Sequence, residues 1–418
     1  MKTELQTTLL RKCLEKIIDY RGKTPKKLGS DWTNQGYRAL SAINVKDAGL
    51  ASIDTIRCVD HDTYTKWMRE EVKRGDILLT SEAPAGEVMI WDTDEKIVLS
   101  QRLFCLRVNK RFDNRFLKYY LQSPTGKREV NRTRSGSTVA GISAEMFDQI
   151  QVVHPDNGSQ QKIAAVLSAL DAKIDLNNRI NAELEALAKT LYDYWFVQFD
   201  FPDANGRPYK SSGGRMVWNE GLKREIPAGW EAVPLSRLVE EVKDGVAPNA
   251  SDNTTPYVGL EHIARRSIVI SSWAAADKAT SNKIAFRKGD ILFGKIRPYF
   301  HKVALAMMDG ITSTDAIVMR PKQQDFAALT LETIFSDRFV ETATASSTGS
   351  KMPRADWNVM RNYTIAVPDK ASAVASAYQQ SFERIRGRIE NNVQQNRELT
   401  RLRDWLLPLL MNGQVRVA

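Results

Sequence analysis

Cysteine and histidine are scarce in this chain of 418 residues, with three of the first and four of the second. Cys13, Cys58 and Cys105 are odd in number and confined to the first quarter, which argues against a disulfide framework and for a reducing cytoplasm. Neither they nor His61, His154, His262 and His301 show zinc-ligand spacing, so no metal site is expected. No run of about 18 apolar residues occurs, which excludes a membrane-spanning helix. The opening MKTELQTTLLRKCLEK has no continuous apolar stretch and no small-residue cleavage site, so secretion is not expected either.

Catalytic patterns are missing as well. GDILFGK at 289–295 has the glycine and Gly-Lys positions of a phosphate-binding loop, but Ile296 follows where a magnesium-binding Ser or Thr is needed. Its interior, Ile291-Leu292-Phe293, is an apolar strand run rather than a cradle of bare amides. Pro155, Asp156, Asp171 and Lys173 imitate the PD…DxK spacing of metal-dependent nucleases. That chemistry needs the second acid and the lysine on a strand converging on Mg²⁺. Here Asp171 and Lys173 flank a helical stripe at Leu170 and Ile174, and they are expected to face solvent. No glycine-rich turn suggests a dinucleotide or methyl-donor cofactor, and no Ser/His/Asp or Cys/His arrangement stands out. His154 and His301 read as hydrogen-bonded structural residues. No catalytic residue is therefore expected in this chain.

What is present is an ordinary globular balance, 42% apolar and 26% charged, in a chain long enough for two to four domains. The net charge is +10, compatible with a polyanionic partner. The excess is +5 in residues 1–158, +3 in 197–370 and +3 in 371–418, while 159–196 carries −1. Two basic regions thus flank a nearly neutral one.

The chain repeats itself. RGDILLT (74–80) returns as KGDILFG (288–294), SGST (135–138) as TGSK (348–351), and IQVVHP (150–155) as YTIAVP (363–368). The offsets are 214, 213 and 213. Three landmarks in one order at offsets within one residue of each other imply two copies of one unit, each a mixed α+β domain followed by a long helix. The apolar runs after each charged turn are strand signals, and IQVV and YTIAV are strands ending at proline. FLKYYLQS (116–123) and LTLETIFSDRFVETA (329–343) read as short helices.

The long helices carry matching stripes. Leu167, Leu170, Ile174, Asn177, Asn181, Leu184, Leu187 and Leu191 are answered at an offset of 215 by Phe382, Ile385, Ile389, Asn392, Asn396, Leu399, Leu402 and Leu406. Steps of three and four mark one apolar stripe with coiled-coil character. Both stripes break at the same two asparagines, and polar residues in an apolar seam can fix register when they find partners. Antiparallel packing would let Asn177 and Asn181 bond to Asn392 and Asn396; separate docking of each helix on its own domain is the alternative. YDYWFVQFDF (192–201) is expected to pack where the first helix meets a domain, or else to form a partner surface. PDANGRPYKSSGGRM (202–216) reads as a linker.

The string SQQKIAAVLSALDAKIDLNNRINAELEALAKTLYDYWFVQFDFPDANGRPYKSSGGRMVWNEGLKREIPAGWEAVPL (159–235) resembles the central conserved region of the specificity subunits of type I restriction–modification enzymes. LLPLLMNGQVRV (406–417) is similar to the end of that family's second conserved region. KGDILFGKIRPYFHKVALA (288–306) and PYVGLEHI (256–263) resemble pieces of its target-recognition domains. SGSTVAGIS (135–143) and SSTGSKMPRADWNVM (346–360) resemble its loops before a final strand. The resemblance covers almost the whole chain. It implies an α+β fold in which two tandem target-recognition domains, 1–158 and 225–370, are separated by two long conserved helices, 159–200 and 371–418, forming an antiparallel coiled coil, with a linker at 201–224. Each domain would read one half of a split site in double-stranded DNA, and the helices would hold the domains at a fixed separation. Two modification (methyltransferase) subunits would bind along the helices, carry the S-adenosylmethionine site and methylate adenine. A restriction subunit, with its ATP and Mg²⁺, would join them, and this chain would hold no cofactor of its own.

DNA contact needs Arg or Lys for phosphates and Arg, Lys, Asn, Gln, Ser or Thr for base edges. In the first copy this favours Arg21, Lys23 and Thr24 of RGKTPKK, with Arg134, Ser135, Ser137 and Thr138. In the second it favours Lys295, Arg297 and Tyr299, with Ser350, Lys351 and Arg354. Two other classes stay open at this point: a DNA-binding adaptor of an antiviral system without a methyltransferase, and a coiled-coil scaffold with no DNA role.

Overall fold

The computed structural model describes residues 5–133, 141–247, 254–276, 281–349, 351–369 and 373–417. It divides into two units, one of residues 1–174 with 397–418, the other of residues 175–396. The principal elements of the first are β1 (Gln6–Leu9), β2 (Leu14–Asp19), β3 (Ile77–Thr80), β4 (Val88–Ile90), β5 (Leu103–Val108), α1 (Asn114–Gln122), α2 (Pro124–Thr133), β6 (Gln151–His154) and the start of α3 (Asn157–Tyr192). Those of the second are β7 (Glu231–Pro234), β8 (Val239–Val242), β9 (Ile291–Gly294), β10 (Val303–Leu305), β11 (Ala316–Pro321), α4 (Ala327–Phe335), α5 (Asp337–Ala345), β12 (Thr364–Val367) and most of α6 (Ala373–Met411).

The repeat is structural. Four antiparallel strands run in the order β2-β5-β3-β4 in one unit and β8-β11-β9-β10 in the other. Antiparallel pairs β1–β6 and β7–β12 accompany them. The ILLT and ILFG runs are continuous rather than alternating because both faces of each sheet are covered. Ile77 and Leu79 enter one apolar core with Phe104 and Leu106, while Leu78 enters another with Trp67 and Trp91. Ile291 and Phe293 likewise part from Leu292.

The shared Gly-Asp before each strand has a local cause. Gly75 and Gly289 turn the chain at φ 93° and 94°, a left-handed conformation that glycine adopts without steric cost. The next carboxylate accepts from the backbone N–H three residues back, Asp76 from Lys73 at 2.9 Å and Asp290 from Arg287 at 2.7 Å. It also pairs across the sheet, Asp76 with Arg107 at 2.8 Å and Asp290 with Arg320 at 2.7 Å. The phosphate-loop look-alike at 289–295 is thus a buried turn and strand.

Two helical expectations are corrected. The segment 329–343 is two helices, α4 and α5, because Ser336 caps the second by accepting from the Phe339 N–H at 3.2 Å. Asp171, expected to face solvent, is instead half-buried and paired. It accepts from Lys118 and Arg403 at 3.0 Å and from the Tyr119 hydroxyl at 2.6 Å. Burial would raise its pKa, but these cationic and hydroxyl partners outweigh burial and hold it below the ordinary carboxylate range. Lys173 is exposed.

Within the second unit α3 and α6 pack antiparallel. Asn177 donates to Gln395 at 2.7 Å and to Asn396 at 2.8 Å, and Asn392 donates to Asn181 at 2.8 Å. Asn396 also donates to Asn178 at 2.8 Å. Leu184 and Leu191 lie against the core holding Phe382, Ile385 and Ile389. Leu187 and Leu402, expected in the stripes, are instead 47% and 43% exposed, and Ala188 is buried in the first one's place. A straight helix drifts from a strict seven-residue repeat in this way. In the first unit Leu167 shares a core with Leu407, Leu410 and Met411.

The aromatic run after α3 is core. Phe196 packs edge-on to Tyr378, and Phe201 stacks between Tyr209 and Trp230. Tyr194 and Val197 of the same run are exposed. The stretch read as a linker carries its own bonds, among them Ser211 to Asp200, and a hairpin of Met216–Asn219 with Arg224–Pro227. Among the described residues no helix is long and apolar enough to cross a membrane.

Candidate nucleic-acid interface

Each four-stranded sheet leads, at the end of its GDIL strand, into one repeated backbone frame. In the second unit Lys295 follows β9. Its N–H donates to the Asp315 carbonyl at 3.0 Å, and its carbonyl accepts from the Ala355 N–H at 2.9 Å. In the first unit Ser81 follows β3. Its N–H donates to the Arg102 carbonyl at 2.8 Å, and its carbonyl accepts from the Ile142 N–H at 2.9 Å. The sheet registers, Leu103 against Thr80 and Ala316 against Gly294, make Arg102 the counterpart of Asp315. Two residues further on, Ala83 and Arg297 both hold positive φ, 53° and 49°, each just before a proline. Non-glycine residues in this region are strained and cluster at functional sites.

The frame of the second unit joins the two segments chosen from sequence. The Arg297 N–H donates to the Pro353 carbonyl at 2.7 Å, and Ile296 bridges Arg354. Lys295 and Arg297 are half-buried, Lys351 is exposed, and Tyr299 is 53% exposed. Lys295 has no side-chain partner among the described residues. The Arg297 guanidinium lies 5.8 Å from the Phe300 ring, over which Arg265 stacks at 4.0 Å. Arg354 meets Asp315 at 3.5 Å. Ser350 lies outside the described residues, as do Arg134, Ser135, Ser137 and Thr138 of the first unit.

In the first unit Arg21 is drawn into the frame itself. Its guanidinium pairs with Asp19 at 2.8 Å, donates to the Ile142 carbonyl at 3.0 Å and stacks 3.8 Å from the centre of the Phe104 ring. Lys23 donates to the Trp67 carbonyl at 2.8 Å, and burial together with nearby Arg69 lowers its pKa. The Thr24 hydroxyl accepts from the Lys27 N–H at 3.4 Å. Beside them stands an ion pair that sequence reasoning passed over, Glu82 with Arg102 at 3.3 Å. Neither residue sits in a basic cluster. Carrying the 213-residue offset of IQVVHP back along the chain to Arg102 and Asp315 is the signal that would have found the position. Among the described residues no group of His, Cys, Asp or Glu is placed to hold a metal ion.

Comparison with known proteins bears directly on these frames. The family described as "Type I restriction modification DNA specificity domain" matches twice, at residues 14–186 and 227–399. The MjaIX specificity subunit of Methanocaldococcus jannaschii is 25% identical over 360 residues, spanning 82% of this chain and 78% of that protein. The HindI specificity subunit of Haemophilus influenzae is 29% identical over 149 residues, 32% of this chain and 30% of that one. The crystal structure of the type I S subunit from M. genitalium shares the fold at a TM-score of 0.54 and 15% identity, with 98% of this chain and 96% of that one covered. Two matches of one family profile, falling on two copies of one frame, lead to a single conclusion: the chain belongs to the DNA specificity subunits of type I restriction–modification systems.

Proposed function

We propose that each unit reads one half of a bipartite site in double-stranded DNA through the loops gathered at its frame. The observation that carries this reading is the frame's duplication: one backbone arrangement, held by equivalent hydrogen bonds at Ser81 and Lys295, displays Glu82 and Arg102 in one unit and Lys295, Arg297, Arg354 and Asp315 in the other. A constant scaffold with different polar side chains suits two readers of different sequences, since base edges are distinguished by donor and acceptor pattern. Partner modification subunits, two per specificity chain, would bring the S-adenosylmethionine site and methylate adenine. A restriction subunit would bring ATP and Mg²⁺. This chain would supply position and sequence choice in the cytoplasm, without catalysis or a cofactor of its own. A scaffold without a DNA role offers no reason for a duplicated polar frame.

The test is an exchange of residues 1–150 for the same region of a relative, followed by mapping of methylated adenines in cells that also express the modification subunit. One half-site should change and the other should stay. A change in both half-sites would contradict independent reading. The purified chain alone should not turn over S-adenosylmethionine or cut DNA, and turnover by the isolated chain would refute its non-catalytic role.

A further inference from the structure

The two frames differ by an inversion of charge at one position. Arg102 and Asp315 occupy the same place, each accepting through its carbonyl from the first residue after the GDIL strand. Arg102 pairs with Glu82 of the following loop. Asp315 pairs with Arg354, which comes from the other side of the frame. The partners have exchanged positions as well as sign. By the 213-residue offset Arg354 corresponds to Gly141, and by the 214-residue offset Ile296 corresponds to Glu82. Gly141 leaves room for this exchange: a Cβ there would lie 2.9 Å from the Glu82 Cγ. The second unit has no acid at 296, and Arg354 fills the space.

We propose that the position held by Arg102 in the first unit and Asp315 in the second is a base-reading position, and that its charge sets which kind of base pair each unit accepts. This rests on the DNA-reading role of the frames. A guanidinium presents paired donors to the O6 and N7 acceptors of guanine, and a carboxylate accepts from the N4 amino group of cytosine. Arg102 therefore selects guanine at one position of its half-site, and Asp315 selects cytosine at the equivalent position of the other. All four side chains are accessible: Arg102 and Glu82 are 51% and 36% exposed, Arg354 and Asp315 54% and 37%. Pairs so exposed stabilise a fold little, so folding does not dictate their polarity. Arg102 also sits at φ 63°, a conformation that side chains adopt at a steric cost. Each ion pair orients its reading group before DNA arrives, and Glu82 and Arg354 act as positioning residues.

The experiment selects bound duplexes from a randomised pool with the full chain, alone and in complex with a type I modification subunit. Wild type is compared with Arg102→Gln, Asp315→Asn and the exchanged pair Glu82→Arg with Arg102→Glu. Arg102→Gln should relax one base pair of one half-site, with discrimination there falling roughly 5- to 150-fold. The other half-site should be unchanged. Asp315→Asn should do the same in the opposite half. The exchanged pair keeps an ion pair and should alter the preferred base rather than relax it. Unchanged preferences in all variants, or a uniform loss of binding with preferences intact, overturn the inference. A wild-type chain that enriches no motif would overturn the DNA-reading role itself and the inference with it.

Discussion

Glu332 shows how much one side chain contributes through its surroundings. It is 3% exposed on α4 and lines a cavity of about 420 Å³ with Tyr192, Arg224 and Arg338. Burial, with a smaller effect from the Glu185 carboxylate, pushes its pKa up to about 8 from an ordinary 4.5. A raised folded-state pKa means that this group's contribution is fully present below 4.5 and is lost as pH rises through about 8. Glu332→Gln is neutral at every pH and close in shape. It should raise the melting temperature above pH 8 and leave it nearly level below 4.5. Equal shifts at both ends of the range would show that charge burial is not the cause. The pair of buried Asp290 with partly exposed Arg320 gives a second prediction. Asp290→Ala removes the carboxylate that Arg320 donates to twice and frees a turn amide, which should cost about 2 kcal/mol in denaturant unfolding. A loss below about 1 kcal/mol would put the pair among weak surface contacts.

At the scale of elements, the asparagine seam separates stability from register. Asn177 is fully buried and its side-chain carbonyl has no partner among the described residues, while its acceptor Gln395 is exposed and Asn396 half-buried. Asn177→Leu therefore removes an orphaned oxygen and leaves groups that water can reach, so stability should hold or rise. Asn392→Leu leaves the buried Asn181 carbonyl unpaired and should cost about 1–3 kcal/mol. Equal losses from the two variants would contradict this asymmetry. The pairing of these residues was legible because two asparagines recur at one offset in two apolar stripes. The strands were legible for a similar reason: their apolar runs repeat after the same Gly-Asp turn. Other features were hidden in tertiary context. Helix α2, with the polar sequence PTGKREVNRT, carries little apolar pattern, yet Val130 is buried and Arg132 donates to the Gln149 carbonyl. Asp171 flanks an apolar stripe, and only the folded α1 brings Lys118 and Tyr119 to it. At the candidate interface, counting basic residues pointed to Lys295, Arg297 and Arg354. It passed over Glu82 and Arg102, whose meaning lies in comparison of the two copies rather than in local charge.

At the scale of the whole molecule, each long helix serves two cores. Helix α3 contributes to the first unit as far as Ile174 and to the second from Asp175, and α6 contributes to the second as far as Asn396 and to the first from Arg397. The chain's last segment thus completes a core begun at its start. Leu407, Leu410 and Met411 are at most 8% exposed among Leu10, Phe116, Leu121 and Leu167. Arg403 supplies a cation to Asp171, and Gly413 lies near Leu5, where an added Cβ would come within 3.3 Å of the leucine side chain. Each buried leucine removed from a core costs roughly 2–5 kcal/mol, and a domain's whole stability is only about 5–15 kcal/mol. Deleting residues 397–418 should therefore unfold the first unit. The second should persist, because its core ends at Val393. Hydrogen exchange reads the two separately. Amides of β3 and β5 should lose their protection, while those of β9 and β11 keep it. Leu410→Ala, a milder change, should shift protection in the same strands by a smaller amount. Equal deprotection of both sheets would mean that the units unfold as one, and undiminished protection of β3 and β5 would mean that the first core closes without the end of α6.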